Sequence, residues 1–170
     1  MIKLLGAALL MAGCGAVGLA AVGRLDGRVR DLRELTAGLE TLRRELGGRL
    51  TPLPGALNAA ADGTHGRAAG FFAFCANHAE HLDGAAFHEI WRDGLEQCRL
   101  QLTGEDRVLL EQLGPVLGRY DADSQLQAIE GVLAGLGRRQ VLAEEERQRM
   151  GRVYGVLGMT AGVFLVILLI

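Results

Sequence analysis

Two uncharged apolar runs bracket a chain whose middle repeats at helical spacing. The first run spans 4–23, between Lys3 and Arg24, and the second spans 153–170. A run of 18–20 residues reaches about 27–30 Å as a helix, the thickness of a bilayer's hydrocarbon. Between them, residues 25–46 place apolar side chains at Leu25, Val29, Leu32, Leu35, Leu39, Leu42 and Leu46. From Leu32 the steps alternate between three and four residues, a heptad-like seam on an amphipathic helix. Gly47-Gly48 ends that helix.

Breakers then divide the chain. Thr51 or Pro52 starts a short helix through Ala61, stopped by Asp62-Gly63. A helix from Gly70 to Leu82 carries Phe71, Phe72 and Phe74 as core. Asp83 is the N-cap expected for a helix from Ala85 to Leu102, with Phe87, Ile90, Trp91, Leu95 and Cys98 inward. Thr103 and Asp106 stand as T-x-x-D and start a helix over 105–113. Gly114-Pro115 interrupts, and one of Asp121, Asp123 or Ser124 caps the last helix, Ser124 with Gln127 as a capping box. Leu126, Ile129, Leu133 and Leu136 form its expected inner stripe. Gly131, Gly135 and Gly137 weaken it by about 1 kcal/mol each and place a bend near Gly137. The pattern predicts an all-α protein: a helical bundle over 24–152 between single transmembrane helices at 1–23 and 153–170.

Charge orients this arrangement. Arg24, Arg28, Arg30 and Arg33 follow the first run, and Arg147, Arg149 and Arg152 precede the second. The positive-inside rule therefore puts the middle in the cytoplasm. Segments 24–50 and 138–152 are each net +2, whereas 51–137 is net −7. Basic flanks suit anionic headgroups, and an acidic middle excludes nucleic acid as a partner. Met11-Ala12-Gly13-Cys14 also resembles a lipoprotein cleavage site, so an exported binding module lipidated at Cys14 is the alternative. Against it, the apolar run continues past Cys14 through Val22, where a polar tether would be expected.

Candidate chemistry is sparse. Lys3 is the only lysine, so there is no P-loop, and Ser124, the only serine, lies in no nucleophile elbow. Cys14, Cys75 and Cys98 form no C-x-x-C. Cys75, His78 and His81, with His65 or His88 as a fourth ligand, match no established zinc spacing. The pairs Glu105/Asp106 and Asp121/Asp123 sit at helix starts, where acids favour the macrodipole. No catalytic residue, metal, cofactor or small-molecule substrate is expected. Gly151, Gly155, Gly158 and Gly162 line one face of the second apolar helix, and Ala8, Ala12, Ala16 and Ala20 one face of the first. Small-residue faces let membrane helices approach closely.

Leu113-Gly114-x-x-Leu117-Gly118-x-x-Asp121-x-x-x-Gln125 precedes a long helix, then Leu157-Gly158-x-x-Ala161-Gly162 and an apolar chain end. This pattern resembles the stage III sporulation protein AB family of endospore-forming bacteria. The Leu32–Leu42 stripe, Thr51-Pro52-Leu53, Phe71-Phe72 and Trp91 fit it as well. The departures are leucine at 113, where phenylalanine is usual, the near absence of lysine and the extra glycines at 131, 135 and 137. The resemblance implies a helical domain similar to the cytoplasmic domain of the type II secretion F protein. It also implies membership of the complex linking mother cell and forespore, in the mother-cell membrane around the forespore. Other stage III proteins would be its partners, among them an AA-type ATPase that supplies the P-loop. Gly114, Leu117, Gly118, Asp121 and Gln125 would be its motif residues.

Overall fold

The computed structural model describes residues 2–80, 87–118 and 122–169, without the side chains of 2–22, 152 and 154–169. Among the described residues there are six helices and no strand: α1 (Ile2–Gly48), α2 (Leu53–Asp62), α3 (Gly66–Ala79), α4 (Phe87–Gln97), α5 (Gly104–Glu111) and α6 (Ala122–Leu169). Two compact units result, one of residues 28–141 and one of 1–27 with 142–170. Among the described residues no helix is long and apolar enough to cross a membrane. The side chains of both apolar runs, Gly23 and Val153 excepted, lie outside the described residues.

The core of the 28–141 unit is built on the α1 seam. Leu32, Leu35, Leu39 and Leu42 are fully buried, which on general scales stabilises by about 1.5–3 kcal/mol per side chain. Their cover includes the start of α6. Arg43 pairs with Glu130 at 3.1 Å. Further along α6, Gln140 Nε2 donates to Leu32 O at 3.0 Å and to Thr36 Oγ1 at 2.6 Å. The pairings climb one helix as they descend the other, so within this unit the two are antiparallel. α2 contributes Ala56, Leu57 and Ala60 to the core, and α3 contributes Ala68, Phe71, Phe72 and Cys75. The Phe71 ring meets Trp91 edge-on at 4.7 Å between centroids. Trp91 Nε1 donates to Leu110 O at 2.9 Å, so one large side chain joins α3, α4 and α5.

Several expected boundaries move. The third helix starts at Gly66, four residues before Gly70. The fourth ends at Gln97 and not at Leu102. Arg99 adopts a left-handed φ of 48°, and the Gln101 amide donates to Asp31 Oδ2 at 2.7 Å. A long-range acceptor thus turns the chain where local propensity would continue the helix. α6 begins at Ala122, so Asp123, Ser124 and Gln127 lie inside it and the expected Ser124–Gln127 capping box is not its start. Asp83 and Asp121 lie outside the described residues. The buried stripe of α6 is Gln125, Ile129, Val132 and Leu136, with Leu126 and Leu133 only half-buried. The helix is also unbroken through Gly137.

Glycine has two opposite roles here. A methyl built at Gly38 would enter the Phe72 ring, and one at Gly135 would meet Leu109 Cδ2 at 2.6 Å. Nothing lies within 4 Å of a methyl built at Gly131 or Gly137. Gly38→Ala is therefore expected to lower unfolding stability by about 1–3 kcal/mol through overpacking. Gly131→Ala should raise it by about 0.5–1 kcal/mol through backbone entropy. Urea titration of both variants checks this; a stabilised Gly38→Ala chain would contradict the packing.

In the second unit, Ala143 is buried. Arg147 Nη1 donates to Asp26 Oδ1 at 3.4 Å and its Nη2 pairs with Glu144. This ties α6 to α1 within that unit.

Candidate functional site

Of the motif residues, Gly114, Leu117 and Gly118 fall in the tight turns that follow α5. Leu113 and Leu117 are buried, and the Val116 and Leu117 amides both donate to Leu113 O, at 3.0 and 2.9 Å. A methyl at Gly114 would lie 3.2 Å from the His88 Cα, so this glycine lets the turn pack against the α4 backbone. Gly118 has φ of +83°, which glycine adopts without strain, and packs beside Leu53 and Phe87. Gln125 is buried on the first turn of α6. The structure thus brings Gly114, Leu117 and Gly118 together as the seat of α4 and α2. Asp121 lies outside the described residues.

A buried ionic network on the inner face of α1 escaped the sequence reading. Arg28 Nε donates to Asp106 Oδ2 at 2.8 Å and its Nη2 donates to Oδ1 at 3.1 Å. The two side chains are 11% and 0% exposed. Asp106 is also the third helical residue of α5. Its carboxylate accepts from the Thr103 amide at 3.0 Å while Thr103 Oγ1 accepts from the Asp106 amide at 3.3 Å. The expected capping box is therefore present, and one of its members doubles as the partner of a cation from α1. Arg139 of α6 pairs with Glu105 and stands 3.9 Å from Asp106. One turn along α1, Asp31 accepts from Arg67 Nε at 3.0 Å and from the Gln101 amide. The signal was present: four residues back from Leu32, the seam spacing lands on Arg28. A charge at a seam position requires a buried counter-charge.

Burial by itself would raise the Asp106 pKa. Hydrogen bonds from Arg28 and Thr103, and the Arg28 charge, outweigh it and hold the carboxyl below the usual aspartate range. An acid held ionised and saturated with donors is a structural anion, not a proton acceptor. Cys75 is buried in the core, which pushes its thiol well above the ordinary range, with the nearby Cys98 adding to the shift. Such a thiol is a poor nucleophile or metal ligand. His78 is exposed, with Nδ1 at 2.8 Å from Phe74 O and its ring over Phe74. His65 and His88 are exposed, and His81 lies outside the described residues. Among the described residues no group of histidine, cysteine and acidic side chains could hold a metal.

Among the described residues of the 28–141 unit, the exposed large apolar side chains are Leu50, Val108 and Val141. Leu50 combines 78% exposure with a left-handed φ of 52°. Gly151 is exposed, with open space around it. Gly155, Gly158 and Gly162 have side-chain surroundings outside the described residues.

Comparison of sequence with known proteins runs along nearly the whole chain. The chain is 27% identical over 171 residues to the stage III sporulation protein AB of Bacillus subtilis (strain 168), covering 99% of each. A solved structure of stage III sporulation protein AB, 26% identical, superposes with a TM-score of 0.65 over 72% of this chain and 98% of that one. The family model for stage III sporulation protein AB matches residues 3–170. A helical bundle with the motif turn between its last two helices, matched from end to end, belongs to the stage III sporulation protein AB family.

Proposed function

We propose that this chain is a non-enzymatic, membrane-anchored component of the complex linking mother cell and forespore. It serves there as a scaffold or platform for partner proteins. The observation that carries the reading is the family match, which spans the helical middle and both apolar runs. In this reading residues 1–23 and 153–170 are anchors in the mother-cell membrane around the forespore. Residues 24–152 stand in the mother-cell cytoplasm, in a role similar to that of the type II secretion F-protein domain. Other stage III proteins, an AA-type ATPase among them, are its partners, and neither nucleic acid nor a small-molecule substrate is involved. The hydrogen-bonded state of the buried Asp31 and Asp106 carboxylates supports a structural part for them. Gly151, Gly155, Gly158 and Gly162 pack the second anchor against another membrane helix.

Fractionation of sporulating cells tests this. The intact chain is expected to stay with membranes after alkaline carbonate, and crosslinking should recover other stage III proteins with it. Gly158→Leu should weaken the crosslinks made through the anchor. Release by carbonate, recovery of lipid alone, or a mature N-terminus lipidated at Cys14 would overturn the proposal.

A further inference from the structure

From residue 101 to 109 the chain buries one side chain, and that side chain is charged. Asp106 is fully buried, Leu102 and Leu109 are half-buried, and Val108 is exposed. The helices before it bury apolar side chains instead, Phe71 and Phe72 on α3 and Trp91 and Leu95 on α4. The ties of 101–109 to its surroundings are polar. The Gln101 amide donates to Asp31 of α1, and Asp106 accepts from Arg28 of the same helix. Glu105 pairs with Arg139 of α6, and Arg107 Nη2 donates to Leu95 O of α4 at 3.1 Å. Leu109 fills the space left beside Gly135 of α6. Gln101 Oε1 is buried and, among the described residues, has no hydrogen-bond partner, which weighs against this closed position. On either side the chain is pinned by apolar burial, at Leu100 before the segment and at Leu110 and Leu113 after it.

A segment that buries little apolar surface opens at a lower free energy than the whole domain unfolds. We infer that residues 101–109 form a strap that lifts as a unit, hinged at Leu100 and Leu110, while the rest of the bundle stays folded. Lifting separates Asp106 from Arg28 and Glu105 from Arg139, and water then solvates all four charges. It also lets Gln101 Oε1 accept a hydrogen bond from water and uncovers α6 at Gly135. The strap therefore closes over the joint between α1 and α6, the two helices that carry the apolar runs.

Residue-resolved native-state hydrogen exchange of the full chain in detergent micelles tests the strap. The hydrogen-bonded amides of Gln101, Thr103 and Arg107 are its reporters, and those of Phe71 and Phe72 report the core. In wild type the strap amides are expected to exchange at least about tenfold faster than the core amides. Their rates should rise little with urea, since lifting exposes little surface. Arg139→Gln should speed the strap amides by about threefold, the scale of one ion pair near the surface. Ala60→Gly, in α2 and outside the strap, lowers global stability and should speed the core amides by about fivefold or more. It should leave the strap amides unchanged, because the strap lifts without unfolding α2. Strap amides as slow and as urea-dependent as the core would overturn the inference. So would strap amides that quicken with the core in Ala60→Gly, or that fail to respond to Arg139→Gln.

Discussion

Asp106→Ala is expected to destabilise the protein by about 3–5 kcal/mol, because it leaves Arg28 buried without its counter-charge. The same change removes the acceptor of the Thr103 amide and half of the α5 capping box. Urea unfolding followed by circular dichroism measures the loss, and a loss below about 1 kcal/mol would sink the network as a stabilising feature. A double change, Arg28→Leu/Asp106→Leu, should recover much of it, since two apolar groups of similar size leave no orphaned charge. The network also predicts an acid limb. Asp106 has its pKa lowered on folding, so its contribution is fully present above the ordinary aspartate range near ~4. That contribution is lost as pH falls from there through the folded value. Asp106→Asn should flatten this part of the stability–pH curve, and an unchanged curve would argue against the Arg28 pairing.

Trp91→Ala is the second large effect, with an expected loss of about 3–5 kcal/mol for emptying a fully buried ring site. The lost ring contacts include Phe71 at 4.7 Å and Phe87 at 6.0 Å. The Leu110 carbonyl would lose its donor as well. Trp91→Phe separates these contributions: it keeps most of the packing and should lose only about 1–2 kcal/mol. Trp91 is the only tryptophan, so unfolding of both variants has to be followed by circular dichroism. Equal losses in the two variants would mean that the indole N–H, and not the ring, supports the site.

These two residues mark what local pattern can and cannot reveal. The α1 leucine stripe, the Thr103–Asp106 cap and the inward face of α4 all depend on neighbours within a few positions, and all three were legible. The pairing of Arg28 with Asp106 joins residues 78 apart, and that of Asp31 with the Gln101 amide joins residues 70 apart. No local periodicity encodes such partners, although the seam spacing that lands on Arg28 hinted that one was needed. The same long-range bond ended α4 early, against its helical propensity. On α6 two of the four expected inner positions, Ile129 and Leu136, are buried. Gln125 and Val132 take the places expected of Leu126 and Leu133, each one residue away, because a polar and a β-branched side chain face inward where only leucine and isoleucine were counted. Of the candidate site, the Gly114–Gly118 motif was readable as a pattern. Its physical reason, close approach to the His88 backbone and a positive φ at Gly118, depends on tertiary packing.

The antiparallel pairing of α1 with α6 also sets the order in which the protein can be made. Gln140 reaches the Leu32 carbonyl across 108 residues of chain. At about 5–20 residues per second, the leucine seam leaves the ribosome roughly 5–20 s before its cover. For that interval α1 presents a bare apolar stripe to α2 and α3, which emerge next and carry Leu57, Phe71 and Phe72 to cover part of it. The middle of the bundle thus shields its own nascent chain until α6 arrives to close the core.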